Sequence, residues 1–463
     1  MSGQPAGNDS REGIFFYPWE RTLDRLVTPF EEFIHRQTTS GMILLASAVV
    51  AGLLANSPFR DTYLHLTHTP VVFRIGRAAL EMSWLHFVNE GLMVFFFFVV
   101  GLEIKREIRV GELSEPRKAL LPVLAALGGM LTPALFYGAL NPAGEFGRGW
   151  GIPMATDIAF CVSALVILGR RIPQALTIFL VSLAIVDDIG AVIVIAIFYT
   201  QSIHLPSLGW AAAVFAVLVA FNLSGIRRSL PYILAGGLLW TFMFSSGVHA
   251  TITGILVAFC IPARARYSPD HFRSNLEGLV ARYRVSCGKG ENVLTSTEMQ
   301  SVLSRLDDEV RLADSLMRRM EDRAHLPVAL LVIPIFALTN AGIEMEWGSI
   351  EATLRHPVTL GVISGLCLGK MAGIFLFSWA GIRLGWVSLP SGVTLRHLLG
   401  VGFLGGIGFT MSIFIAELSF PDNREALLMA KSGIMLASLL SALAGYLWLR
   451  FLCPRPIPSR KAG

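Results

Sequence analysis

Charge is what this sequence has least of. Lys+Arg 38 and Asp+Glu 33 in 463 residues amount to 15%, against roughly 25% in a soluble domain. With 53% hydrophobic residues and a mean hydropathy of +0.60, too few charges remain to cover a solvated surface, which excludes a soluble multidomain enzyme as the default. Cysteine is scarce as well. Cys161, Cys260, Cys287, Cys367 and Cys453 are odd in number and scattered, so neither a disulfide framework nor a paired metal spacing is expected. The first 36 residues hold Arg11, Glu12, Glu20, Arg21, Asp24, Arg25, Glu31 and Glu32 and lack the apolar core expected of a cleaved signal peptide. A net charge of +5 comes with no basic stripe interleaved with aromatics, so no nucleic-acid partner is expected. Lys and Arg are enriched instead in the cytoplasmic loops of membrane proteins, and a bilayer fits the composition.

What is abundant is apolar sequence. Segments able to cross roughly 30 Å of hydrocarbon as helices recur at 41–56, 84–103, 119–140, 150–168, 174–199, 208–222, 230–243, 247–262, 326–341, 357–381, 396–417 and 427–451, about twelve in all. Two are interrupted. The segment 150–168 opens on Trp150-Gly151-Ile152-Pro153, and 396–417 contains Gly400, Gly402, Gly405, Gly406 and Gly408, residue types that break a helix. The chain divides accordingly into a cytoplasmic segment 1–40, eight spans in 41–262, a long cytoplasmic amphipathic insertion 263–325, four spans in 326–452 and a cytoplasmic tail 453–463. The expected class is an all-α polytopic membrane protein. Interrupted segments in each half are what an inverted-repeat transporter leaves in its sequence.

Alternating sides from a cytoplasmic N-terminus places Arg11, Arg21, Arg25, Arg36, Lys105, Arg106, Arg109, Arg117, Lys118, Arg170, Arg171, Arg227, Arg228, Arg450, Arg455, Arg460 and Lys461 inside. Only Arg60, Arg74, Arg77, Arg148, Arg355 and Arg424 fall outside, so both termini are expected in the cytoplasm. Within the insertion, Met299, Val302, Leu306, Val310, Ala313, Leu316 or Met317, and Met320 fall near helical spacing and predict one amphipathic helix. The β-branched stretch 69–80 predicts a small extracytoplasmic hairpin.

The informative residues are ionisable groups inside apolar spans, each costing roughly 2.5 to 3.5 kcal/mol at a helix centre. They are Asp157, the doublet Asp187-Asp188, and Lys370. Consecutive helical residues point about 100° apart, so Asp187 and Asp188 cannot address one partner symmetrically. One is expected to bind a cation and the other to pair with Lys370. Adjacent buried carboxylates titrate as a coupled pair, which makes the site responsive to pH. An oxygen-only site suits a hard cation or a proton, and no His or Cys stands at zinc-ligand spacing from the doublet. Asp157 lies where a half-helix would begin with unpaired donors, which a carboxylate offsets. Lys370 could offset carbonyl ends at the same crossing, and Thr156 could offer a hydroxyl or carbonyl to the ion.

At these residues the sequence resembles the NhaA family of bacterial sodium/proton antiporters, a family built on inverted repeats and broken helices. The resemblance is carried by Gly101-Leu102-Glu103-Ile104-Lys105-Arg106-Glu107, Ala155-Thr156-Asp157-Ile158-Ala159-Phe160, Leu183-Ala184-Ile185-Val186-Asp187-Asp188-Ile189-Gly190, Ser246-Gly247-Val248-His249-Ala250-Thr251, Asn340-Ala341-Gly342, Leu368-Gly369-Lys370 and 405–415, in the family's order from about Gly41 to Leu452. It implies a twelve-helix exchanger of the inner membrane, with the fourth and eleventh helices interrupted and crossed. By the same resemblance Asp188 is the main carrier of cation and proton, and Asp187 its neighbour and the partner of Lys370. Asp157 and Thr156 stabilise the crossing, with sodium or lithium competing with protons at the doublet. Exchange is expected to be electrogenic, with no cofactor and no enzymatic activity. The resemblance also carries pH regulation at the cytoplasmic mouth to Glu103, Arg106, Glu107, His249, Glu321 and His325, and a homodimer with the 69–80 hairpin as a contact.

The sequence departs from the family's pattern in three places. Asp322 stands where a His is common after the Glu, Met371 follows Lys370 where a Pro is common, and 264–320 is longer than the usual connection. Without that Pro, the helix beside the lysine is expected to run straighter. Two other functions compete: an intramembrane aspartyl protease using Asp157 and Asp188, and a cation channel. The Val186-Asp187-Asp188-Ile189-Gly190 setting lacks the Gly-x-Gly-Asp of such proteases, and a single asymmetric doublet is not a ring of charge.

Overall fold

A computed structural model of the chain describes residues 37–75, 78–142, 144–200, 203–264, 269–287, 297–344 and 350–453. The segment 1–36, parts of the insertion and the tail from 454 lie outside the described residues. The chain is mostly helical. We label the elements α1 (Gln37–Ala55), α2 (Arg60–His68), β1 (Pro70–Ile75), β2 (Ala78–Ser83), α3 (Trp84–Val110), α4 (Pro116–Leu140), α5 (Ile158–Leu168) and α6 (Gln174–Phe198). There follow α7 (Leu205–Leu223), α8 (Ser229–Ser246), α9 (Ile252–Cys260), α10 (Pro269–Cys287), α11 (Thr297–Ala313), α12 (Leu316–Asn340), α13 (Pro357–Arg383), α14 (Leu395–Gly405), α15 (Phe409–Ser419) and α16 (Arg424–Phe451).

Among the described residues, 8 helices are long and apolar enough to cross a membrane, or up to 10 if each of two bent pairs is one span. The pairs are α1 with α2, bent by 114°, and α14 with α15, bent by 47°. The segment expected at 247–262 is helix only over Ile252–Cys260. Gly247, at φ 81, ends α8 in the left-handed region, and α9 retains 9 residues. Nine residues rise roughly 14 Å, under half the hydrocarbon thickness. The segment expected at 326–341 begins ten residues earlier, at Leu316, because the Ser315 hydroxyl accepts the Arg318 N–H at 3.1 Å and starts a helix there. That cap also divides the amphipathic pattern. Met299 and Val302 are buried on α11, which packs against α10, whereas Leu316 and Met317 pack with Leu102 of α3.

Side chains are arranged for lipid. Leu135, Leu223 and Leu439 are exposed, while Asp187, Asp188 and Lys370 are buried. Helices α4 and α13 pack antiparallel through small residues: a Cβ on Gly128 or Gly373 would overlap the other's carbonyl oxygen, and Gly365 and Gly369 lie against Pro133. The expected hairpin is present, β1 pairing antiparallel with β2 from Pro70↔Ser83 to Ile75↔Ala78.

Helix α13 is continuous from Pro357 to Arg383 but not regular α-helix throughout. Residues Ser364–Gly369 widen into a π-helical turn immediately before the lysine, so the irregularity lies upstream of Met371 and not at it.

Candidate functional site

The site is built where two broken segments meet. A 3-10 helix, Glu145–Met154, ends at an extended Ala155 (φ −79, ψ 148), and α5 starts after Asp157. Helices α14 and α15 are separated by Gly406, Ile407 and Gly408. The freed backbone groups find each other: the Asp157 N–H donates to the Ile407 carbonyl at 2.7 Å, and the Ser412 hydroxyl donates to the Ile152 carbonyl at 2.8 Å. Buried backbone polar groups without water need such partners.

Asp157 caps two helices at once. Its Oδ1 accepts the Phe160 N–H of α5 at 3.2 Å, and its Oδ2 accepts the Thr410 N–H and hydroxyl of α15 at 3.1 and 2.5 Å. The carboxylate thus neutralises the positive ends of two half-helices that point toward one another. Lys370 does the converse, donating to the carbonyl of Met154 at the end of the 3-10 helix and to Asp187 Oδ2 at 2.6 Å. The Thr156 hydroxyl lies 2.7 Å from Asp187 Oδ2 and 3.0 Å from the Gly405 carbonyl, and its single proton serves one of them at a time. Thr156 therefore bonds across to α6 and α14 and not along its own segment.

The doublet on α6 is asymmetric. Asp187 is held by Lys370 and Thr156, and all three are fully buried. Neither carboxylate oxygen of Asp188 has a hydrogen-bond partner among the described residues, although the residue is 1% exposed. A buried carboxylate left without a counter-charge is neutralised by a proton or a cation, because the bare charge is too costly. The geometry thus provides one anchored carboxylate and one vacant one.

The six residues expected at a cytoplasmic mouth divide into two groups. Glu103, Arg106 and Glu107 share a face of α3, and the Arg106 guanidinium meets Glu321 Oε1 of α12 at 2.7 Å. Glu107 Oε1 accepts the Glu112 N–H at 2.8 Å and the Ser182 hydroxyl of α6 at 3.2 Å, while His325 lies one turn beyond Glu321. His249 is elsewhere. Its ring nitrogens lie 3.0 Å from Glu90 Oε1 and from the Tyr199 carbonyl, and Glu90 Oε2 accepts the Ala250 N–H at 2.8 Å. Glu90 and Arg106 are separated by roughly 24 Å along α3, so His249 belongs to the opposite end of the bundle. The sequence motif around it carried no information about depth.

Several polar residues escaped sequence reasoning. Thr410, the second partner of Asp157, was hidden because one hydroxyl in an apolar run is unremarkable. Glu90, Glu417 and Lys431 meet the same criterion that singled out Asp157, an ionisable group inside an apolar segment. Lys431 Nζ pairs with Glu417 Oε1 at 2.6 Å between α15 and α16. Lys105 is buried with its ammonium on the carbonyls of Phe259, at 2.7 Å, and Ile261, closing the C-terminal end of α9.

Known proteins similar to this chain identify its family. Residues 31–449 match the family described as Na+/H+ antiporter 1. The chain is 49% identical over 438 residues to the Na(+)/H(+) antiporter NhaA of Sulfurimonas denitrificans, covering 94% of this chain and 98% of that one. It is 48% identical over 446 residues to the Na(+)/H(+) antiporter NhaA of Syntrophobacter fumaroxidans, covering 96% and 94%. A solved structure, that of the sodium proton antiporter MjNhaP1 from Methanocaldococcus jannaschii, aligns over 90% of this chain and 98% of that chain with a TM-score of 0.45 at 13% identity. By family match and by relatives alike over nearly its full length, this chain belongs to the Na+/H+ antiporter 1 family.

Proposed function

We propose that this chain is a secondary transporter of the bacterial inner membrane that exports Na+, and Li+, in exchange for entering protons. The observation that carries the reading is the asymmetric doublet: Asp187 anchored by Lys370 and Thr156, Asp188 buried with both oxygens unpartnered. One vacant carboxylate can carry a proton or a hard cation but not both, and that competition is the minimum requirement of an exchanger. Asp188 is the carrier, and Asp187 and Thr156 complete the oxygen set. Asp157 and Lys370 hold the crossing open electrostatically by opposing the helix ends.

The finer features of this reading extend the family membership. The fold is a twelve-helix inverted repeat with both termini cytoplasmic, the fourth and eleventh helices being the two broken segments. Exchange is electrogenic, more protons entering than sodium ions leaving. The Glu103, Arg106, Glu107, Glu321 and His325 group regulates it at the cytoplasmic end, with His249 acting from the opposite end through Glu90. Two copies associate through the β1–β2 hairpin, whose outer edges offer unpaired backbone groups. Both oxygens of Asp157 are engaged by helix N-termini, which leaves none to share a proton with Asp188 as a protease dyad would need.

Competition predicts proton release on cation binding. Adding NaCl or LiCl to the purified protein in weakly buffered alkaline detergent solution releases protons, and Asp188→Asn, thermally as stable as the wild type, releases none. Undiminished release from that variant would contradict the assignment.

A further inference from the structure

A groove of about 430 Å³ opens between α4 and α13, walled by Leu124, Leu376, Trp379, Ala380, Leu384 and Trp386. Its volume falls in the range of small-molecule sites, yet its lining is almost wholly apolar. Both helices are membrane spans, and Leu376 and Leu384 are exposed, so the groove faces hydrocarbon and not water. Gly381 forms its back, where a Cβ would lie 2.7 Å from the Leu124 side chain.

The end of the groove is different in character. Trp379 and Trp386 stand at the close of α13, the level at which tryptophan marks a membrane interface. The Arg383 guanidinium lies over the Trp379 ring, 5.4 Å from its centroid, and has no carboxylate partner among the described residues. Because α4 runs antiparallel to α13, its exposed Arg117 lies at the same end, roughly 10 Å along the helix from Leu124. The carboxylate nearest to it in sequence, Glu115, is held by Lys118 at 3.0 Å. An apolar slot in the bilayer thus ends at headgroup depth in an arginine stacked on a tryptophan.

We propose that this groove binds one anionic phospholipid, with an acyl chain along Leu124, Leu376 and Leu384 and its phosphate on Arg383. A guanidinium fixed by stacking presents its fork to phosphate oxygens with little loss of freedom, and a zwitterionic lipid gains less there. On the orientation proposed above, this end of the groove lies in the cytoplasmic leaflet; the binding itself rests only on the groove and Arg383.

Trp379 and Trp386 report on their own occupant. The protein is reconstituted in phosphatidylcholine nanodiscs containing a small fraction of chain-spin-labelled phosphatidylglycerol or, in parallel, chain-spin-labelled phosphatidylcholine. Their fluorescence is isolated by subtracting the Trp379→Phe/Trp386→Phe variant. At equal mole fraction the labelled phosphatidylglycerol should act as though about fivefold enriched at these residues. Arg383→Gln should abolish that preference, and Ala380→Phe, which fills the groove, should weaken quenching by both lipids. Equal quenching in the wild type, or a preference that survives Arg383→Gln, would overturn the proposal. None of these readings depends on ion exchange, so failure here is distinguishable from failure of the antiport reading.

Discussion

Asp187 and Asp188 are the same residue type, adjacent in the chain, and the helix gives them different fates. Asp187 meets an ammonium and a hydroxyl, and Asp188 meets neither. The consequence for stability is sharp. Removing one partner of a buried ion pair leaves an uncompensated charge, at a cost of about 3–5 kcal/mol, whereas removing both can be nearly neutral. Lys370→Ala should therefore lower the detergent unfolding temperature markedly, and Asp187→Asn combined with Lys370→Met should recover most of that loss. A double variant as unstable as Lys370→Ala would show that the lysine acts mainly through the Met154 carbonyl. The doublet and the lysine were legible in the sequence because charge in an apolar span is rare. Their division of labour followed from the 100° step of a helix. Which carboxylate faced the lysine was legible only through family resemblance.

At the scale of elements, the two breaks meet because Pro153 and the glycines at 405, 406 and 408 free backbone groups that partners across the junction then satisfy. Asp157 is central, accepting from the N-termini of both α5 and α15. Each lost cap costs about 1 kcal/mol, so Asp157→Ala should destabilise by about 2 kcal/mol in equilibrium unfolding, and Asp157→Asn, whose single amide oxygen can cap only one of the two helices, by about 1 kcal/mol. Equal losses in the two variants would mean that charge, not capping geometry, is what the crossing requires. The interruptions could be read from Gly and Pro, but their meeting was legible only through the family resemblance, since Asp157 and Thr410 lie far apart in the chain. The start of α12 was similarly obscured: hydropathy sees the apolar stretch from Leu326, whereas the polar turns from Leu316 are ordered by the Ser315 cap and by packing on α3. Nine-residue α9 was overestimated because an apolar run does not reveal a left-handed glycine turn inside it.

For the whole molecule, the shortage of charge has a precise spatial counterpart. In the proposed orientation the arginine-rich ends lie on one side, leucines are exposed where lipid would meet them, and among the described residues the few buried charges are nearly all paired or used as caps. Asp188 is the exception, and the account stands or falls on it. The direct measurement is sodium-driven proton movement in sealed proteoliposomes, read with an internal pH dye for wild type, Asp187→Asn and Asp188→Asn at matched protein density. The account predicts robust exchange in the wild type and none above the protein-free background in Asp188→Asn, whose fold and insertion are intact. Exchange in Asp188→Asn at the wild-type rate would contradict it.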